Sequence, residues 1–182
     1  MQSKLIKPST TCCLYGFTAD IVPYGLLENS IDCTRLKVQL ATQIQAMVDK
    51  GVNTFISTLE RGAAIYGAQI VLDLKRTHPE KNLKLVVMLS CPEQSEKWPI
   101  LAREQFQALL EQADLVLVQS EAHHQNARER RNRAMLGYCG HMIAVFEAQK
   151  GKPGAVRLAE SRGLDVCTLD PNDVTNKKSA SA

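Results

Sequence analysis

The sequence lacks any long apolar run. No stretch approaches the roughly twenty consecutive apolar residues that a membrane-spanning helix needs. The first residues, MQSKLIKPSTTCC, also lack the apolar core of a secretory signal. We therefore expect a cytoplasmic protein with no membrane partner.

Motifs for metal binding and for nucleophilic catalysis are missing too. The six cysteines form no CxxC pair, and those beyond Cys13 lie in or beside apolar runs, which favours buried, reduced thiols. His123 and His124 are adjacent, a spacing that does not suit a helical metal site. With no HExxH and no GxSxG either, we expect no metal and assign no catalytic residue.

Charge of one sign and aromatic side chains are both scarce. The formal net charge is +3 and aromatic residues make up 5% of the chain. Phosphate backbones are bound by concentrated positive charge, and single strands also need aromatic surfaces for stacking. The composition as a whole therefore argues against nucleic acid as a partner.

The chain does contain a regular alternation of short apolar runs with longer segments of helical periodicity. The runs lie at residues 11–15, 52–57, 83–89, 115–118, 142–146 and 164–169. This pattern is typical of βαβ units. It predicts an α/β protein with a three-layer Rossmann-like fold and a mainly parallel central sheet of about five to six strands. Residues 1–171 are expected to form one domain, and the polar tail 172–182 to be disordered.

Two helical segments show how the periodicity is interpreted. Leu36, Leu40, Ile44 and Met47 recur at intervals of three or four and predict one buried stripe that ends before Gly51. The helix at 100–112 is predicted to turn four residues inward, namely Leu101, Phe106, Leu109 and Leu110. Nearby, Trp98 and Ile100 could serve a homodimer, although packing in the core is the simpler explanation.

Ligands of open parallel sheets bind beyond the carboxyl ends of the strands, so the loops at that edge are the candidate site. Gly62 and Gly154 each precede a predicted helix, and a helix N-terminus favours an anion such as phosphate. Neither loop spells GxGxxG or GxxxxGK[ST], so a tight structural turn is the competing explanation.

The densest charge lies at 128–133, where four arginines fall within six residues. They cannot share one helical face, so part of the set faces solvent. Arg131 or Arg133 could reach a phosphate, because guanidinium matches phosphate oxygens bidentately. Glu121, close to the end of the fourth strand, is a candidate general base, although a lone surface glutamate usually has no such role.

Several phrases resemble the YpsA-like family of the SLOG superfamily, which also includes DprA and the LOG phosphoribohydrolases. They are ISTLERGAAIYGAQIVLDLK (56–75), LKLVVMLSCPEQSEKW (83–98), FQALLEQADLVLV (106–118) and RNRAMLGYCGHMIAVFE (131–147). The resemblance implies binding of a nucleotide or nucleotide derivative between the loops 58–62 and 147–154. Thr58 and Ala64 depart from the family pattern, and the PGGxGTxxE motif of the LOG enzymes is absent, so their activity is not carried over.

The sequence therefore predicts a protein that binds a nucleotide or another phosphorylated small molecule, of unknown identity, with no assignable catalytic activity. The expected site residues are Gly16, Ser57, Thr58, Arg61, Gly62, Glu121, Arg131 and Gly154. Two alternatives remain open. One is a nucleotide hydrolase that uses Glu121 or Glu60, and the other is a nucleic-acid-binding module that uses the basic helix.

Overall fold

A computed structural model describes residues 6–16, 29–122 and 125–173. Its centre is a six-stranded sheet in which every pairing is parallel. The strands are β1 (Thr11–Gly16), β2 (Thr54–Ser57), β3 (Lys84–Leu89), β4 (Leu115–Val118), β5 (His141–Val145) and β6 (Asp165–Leu169). The α/β fold with a parallel Rossmann-like sheet is thereby confirmed.

The strand order is β4-β3-β2-β1-β5-β6. The chain moves outward from β1 to the edge strand β4, and then returns to place β5 on the other side of β1. The order therefore reverses between β1 and β5. In open α/β sheets the ligand crevice lies at such a reversal, beyond the carboxyl ends of the strands.

Five helices cover the two faces of this sheet. They are α1 (Ile31–Asp49), α2 (Ala63–Thr77), α3 (Ile100–Glu111), α4 (Ala127–Leu136) and α5 (Gly154–Ser161). Apolar side chains of α1, α2 and α3 pack in one core with Leu14 of β1, whereas those of α4 and α5 pack in a second core with Cys13. Neighbouring residues of β1 thus enter opposite cores, as the alternation of a strand requires.

The first helix has the buried stripe and the end that the sequence predicts, together with a cap that was not predicted. Ser30 caps it by accepting a hydrogen bond from the Cys33 amide. The predicted stripe of Leu36, Leu40, Ile44 and Met47 is buried, and each such side chain contributes about 1.5–3 kcal/mol. Gly51 has a φ of 94°, the left-handed conformation that ends helices.

The prediction for α3 is wrong at one residue. Leu101 is 79% exposed, whereas Phe106 and Leu109 are buried. Five residues separate Leu101 from Phe106, which places them about 140° apart around a helix. Trp98 packs edge-on against Phe106 in the core, with ring centroids 5.4 Å apart, while Ile100 is 65% exposed. Core packing therefore holds for Trp98 and fails for Ile100.

The expected chemistry of the cysteines agrees with their environment. All six are unpaired; five are buried and Cys167 is partly buried. Within the three described ranges, no helix is long and apolar enough to cross a membrane. The predicted disordered tail lies outside the described residues from 174 onward, as do His123 and His124.

Candidate functional site

Gly16 occupies the point where the strand order reverses. It is the last residue of β1 and pairs in register with Val145 of β5. A Cβ atom added to Gly16 would overlap the Cβ of Ala63, the first residue of α2. Only glycine therefore lets the start of α2 approach the carboxyl end of β1 so closely.

The loop at 58–62, between β2 and α2, has an unusual backbone. Ser57 fixes its start, because the Ser57 hydroxyl donates to the Ala64 carbonyl at 2.8 Å and accepts from the Leu59 amide at 3.1 Å. Leu59 has a φ of 48°, and Gly62 has a φ of 101° with a ψ of −132°. The Gly62 conformation is essentially restricted to glycine, and such strain is concentrated at functional sites.

The 58–62 loop leads into the N-terminus of α2, which lies at the switch point and has no side-chain cap. The N-cap residue is Gly62, which has no side chain that could accept a hydrogen bond from the first amides of the helix. In the described parts of the chain, the amides of Ala63, Ala64 and Ile65 donate no hydrogen bond, although all three residues are buried. Buried helix ends normally find a partner, and these amides, with the positive end of the helix dipole, suit an anion.

Arg131 of α4 contacts this loop, and its guanidinium already forms hydrogen bonds within the protein. Its side chain is 3% exposed, and Nη1 donates to Oε1 of Glu60 at 2.8 Å. Nη1 also lies 3.3 Å from Oε1 of Gln94, and Nε and Nη2 donate to the Asn132 side chain. Burial lowers the pKa of Arg131, and Glu60 opposes that effect. A phosphate would have to compete with Glu60 for this guanidinium.

Two further residues of this cluster were missed by the sequence reasoning. Gln94 donates from Nε2 to the Thr58 carbonyl at 2.8 Å and accepts from the amide and hydroxyl of Ser90. Tyr15 is half-buried; burial raises the pKa of its phenol, Arg131 lowers it and Glu60 raises it. An isolated polar residue in a loop or strand carries no periodic signal that would have revealed either role.

A cavity of about 560 Å³ opens beside this cluster. It lies between residues 90–98, which follow β3, and the start of α4. Gln94 and Arg128 line it, and both also contact the 58–62 loop, Gln94 at the Thr58 carbonyl and Arg128 at Glu60. Its volume is in the range of small-molecule sites.

The remaining predicted residues are Gly154, Glu121 and Arg61. Gly154 begins α5, and the nearest atom to a Cβ added there is Nη2 of Arg157, at 3.9 Å. Glu121 is exposed after β4, which β3 and β2 separate from β1. Arg61 is partly exposed at the end of the 58–62 loop. The described contacts thus connect Gly16, Ser57 and Gly62 with the start of α2. Gln94 connects Thr58 with Arg131, which also pairs with Glu60 of the same loop. Among the contacts of the described residues, none connects Glu121 or Gly154 with this group.

Comparison with known proteins places this arrangement in a family. A family model described as "YspA SLOG family" matches residues 26–161. A UPF0398 protein of Halalkalibacterium halodurans is 24% identical over 155 residues, which cover 81% of each chain. A UPF0398 protein of Bacillus thuringiensis is 25% identical over 148 residues, which cover 76% of this chain and 77% of the relative.

Proposed function

This chain belongs to the YpsA family of SLOG proteins, and we propose that it binds a nucleotide or another phosphorylated small molecule at the carboxyl edge of its sheet. The resemblance to the wider superfamily implies ligands of this class. The proposal does not include a reaction.

The observation that carries the proposal is the uncapped start of α2. Its first amides are buried and unpaired within the described structure, beside the reversal of strand order. Gly16 packs closely against Ala63, which brings the end of β1 to these amides, and Gly62 adds no side chain that could cover them. A phosphate can therefore approach the amides from the carboxyl edge of the sheet. Arg61, the residue before Gly62, adds a positive charge at the same loop.

The adjoining cavity suits the part of the ligand that carries no phosphate. Glu93, Glu96, Lys97 and Arg128 give its lining a balance of charges, and Trp98 adds an aromatic surface. Excess positive charge would be expected if the phosphate itself were bound here. We therefore place the phosphate at α2 and the uncharged moiety in the cavity.

Neither carboxylate of the hydrolase alternative is favoured by its surroundings. Oε1 of Glu60 accepts a hydrogen bond from Nη1 of Arg131 at 2.8 Å and lies 3.1 Å from Nε of Arg128. Glu121 follows the edge strand, away from the switch point. A general base must be free to take a proton from the substrate, and two guanidinium groups compete with a substrate for this oxygen of Glu60.

The test measures thermal unfolding against nucleoside phosphates, nucleotide sugars, cyclic dinucleotides and the matching nucleosides, because a ligand of the folded state raises stability by mass action. Any compound that shifts the midpoint is then titrated by calorimetry into the wild type, Arg61→Gln and Arg76→Gln. Arg76 is exposed in the last turn of α2 and provides the same loss of charge away from the site.

We expect a phosphorylated compound to bind, its nucleoside to bind at least tenfold more weakly, and Arg61→Gln alone to weaken binding. Absence of a shift and of binding heat across the whole panel would overturn the proposal. Equal binding of nucleoside and nucleotide would overturn the role given to the amides of α2.

A further inference from the structure

The charges of this protein are unevenly divided between its two helical layers. Residues 127–162, which comprise α4, β5 and α5, hold eight arginines and lysines against three glutamates, a net charge of +5. Since the whole chain carries +3, all other residues together carry −2. The modest overall charge therefore conceals one basic layer.

Three exposed arginines form what we call the basic face, namely Arg130, Arg133 and Arg162. Arg130 and Arg133 lie one turn apart on α4 and so project from the same side of the helix. Nη1 of Arg162 donates to the Arg133 carbonyl at 3.3 Å, which continues the face across the junction of α4 and α5.

Carboxylates neutralise little of this face. Within the described structure, Arg130 and Arg162 form no ion pair. Arg133 lies 3.4 Å from Glu129, but both side chains are exposed, and such pairs contribute little. The guanidinium groups thus remain available to an external polyanion.

The face has no apolar component. The exposed large apolar side chains of the described structure are Ile31, Val38, Ile100, Leu101, Val116 and Val118, all outside residues 127–162. Protein interfaces are usually built around an apolar or aromatic centre, and interfacial membrane helices insert apolar side chains. A partner of the basic face must therefore be held by charge and hydrogen bonds alone.

The positions of the aromatic residues favour a duplex over a single strand as the partner. Proteins that hold single strands stack the bases on aromatic side chains. Both aromatic residues of the basic layer, Tyr138 and Phe146, pack against the second core instead. A duplex presents its phosphates outward and needs no stacking surface.

We infer that the basic face binds the phosphate backbone of a nucleic-acid duplex without reading its sequence. This interaction is separate from the proposed small-molecule site, because none of these arginines lines the cavity or belongs to the 58–62 loop. This inference departs from the expectation against nucleic acid, which rested on the net charge and aromatic content of the whole chain. Three arginines rather than lysines in the face suit this role, because a guanidinium can contact phosphate oxygens bidentately.

The test uses fluorescence anisotropy with a labelled DNA duplex of arbitrary sequence, and the single strand of the same length. A triple variant, Arg130→Gln with Arg133→Gln and Arg162→Gln, removes the charges of the face. A matched variant, Arg35→Gln with Arg76→Gln and Arg103→Gln, removes the same charge from exposed positions in the other layer. Circular dichroism and thermal unfolding establish that both variants remain folded.

We expect the wild type to prefer the duplex, with an affinity that falls steeply between about 50 and 200 mM salt. The triple variant should bind at least about tenfold more weakly, and its salt slope should fall by about one unit for each lost phosphate contact. The matched variant should bind like the wild type. The inference is overturned by absence of duplex binding at low salt, by equal losses in both variants, by preference for the single strand, or by binding only to vesicles of anionic lipid.

Discussion

Glu60 and Arg131 are 71 positions apart in the sequence, yet Oε1 of Glu60 and Nη1 of Arg131 are 2.8 Å apart. Glu60 belongs to the loop that leads into α2, whereas Arg131 belongs to α4 in the opposite helical layer. Their side chains are 8% and 3% exposed. This pair therefore joins the two layers at the carboxyl edge of the sheet, beside the proposed site.

Removing one partner of this pair should destabilise the protein strongly. We expect Arg131→Met to lower the free energy of unfolding by about 3 kcal/mol, because it leaves the Glu60 carboxylate buried with only the exposed Arg128 as a partner. Chemical denaturation measures this change. Arg133→Met is the control on the same helix, and its exposed side chain predicts a loss within about 0.5 kcal/mol. Equal losses for the two variants would contradict the structural role of Arg131.

The contact between Gly16 and Ala63 predicts a reciprocal effect. Gly16→Ala should cost about 1–3 kcal/mol, because the new methyl group would overlap the Cβ of Ala63. Adding Ala63→Gly should recover much of that loss by removing the opposing methyl group. A double-mutant cycle by denaturant unfolding measures this coupling. Additive losses would show that the two residues do not restrict each other.

Two predicted site glycines should respond oppositely to substitution by alanine. Gly62 has a φ of 101°, so Gly62→Ala should lose about 1–3 kcal/mol of stability. Gly154 begins α5 without a positive φ, and the nearest atom to an added Cβ is Nη2 of Arg157 at an ordinary contact distance of 3.9 Å, so Gly154→Ala should be neutral or stabilise by up to about 1 kcal/mol. Thermal and denaturant unfolding compare the two. A tolerated Gly62→Ala would remove the argument that this loop needs glycine.

The sequence could predict the sheet because its signals are local. The apolar runs and the glycines that follow helices mark each element directly, and the 115–118 run coincides with β4. Leu101 was misassigned because it lies about 140° around α3 from Phe106, on the side of the helix that faces solvent. The positions of the helices and strands do not depend on whether one such residue is buried.

The site could be predicted only in part, because its contacts are distant in sequence. Gly16, Ser57 and Gly62 stand where strands end, so the carboxyl-edge rule identifies them. The partners of Arg131 could not be read from the sequence, because Glu60 and Gln94 become its neighbours only when α4 packs on the far side of the sheet. The basic face likewise emerges only when α4 and α5 are placed side by side.

A group of charged side chains at the start of β6 leads to a prediction about pH. Asp165 lies 3.0 Å from Nζ of Lys50 and 3.3 Å from Nδ1 of His141, and the Lys50 hydrogen bond is the main cause that lowers the pKa of this carboxyl from 3.8. The folded state therefore holds the Asp165 proton less tightly than the unfolded state does. The resulting stability is present above the unfolded pKa and is lost as the pH falls through the lower, folded pKa.

We therefore expect the wild type to lose stability more steeply than Asp165→Asn as the pH falls below about 4, because the variant has no carboxyl to protonate at this position. Lys50→Met should behave like Asp165→Asn, since without the ammonium group the Asp165 pKa returns toward its ordinary value. Arg35→Met, which removes the cation of an exposed pair on α1, provides the comparison. Urea unfolding across this range measures the slopes. If Asp165→Asn and the wild type show parallel slopes, the Lys50 contact does not favour the ionised carboxylate in solution.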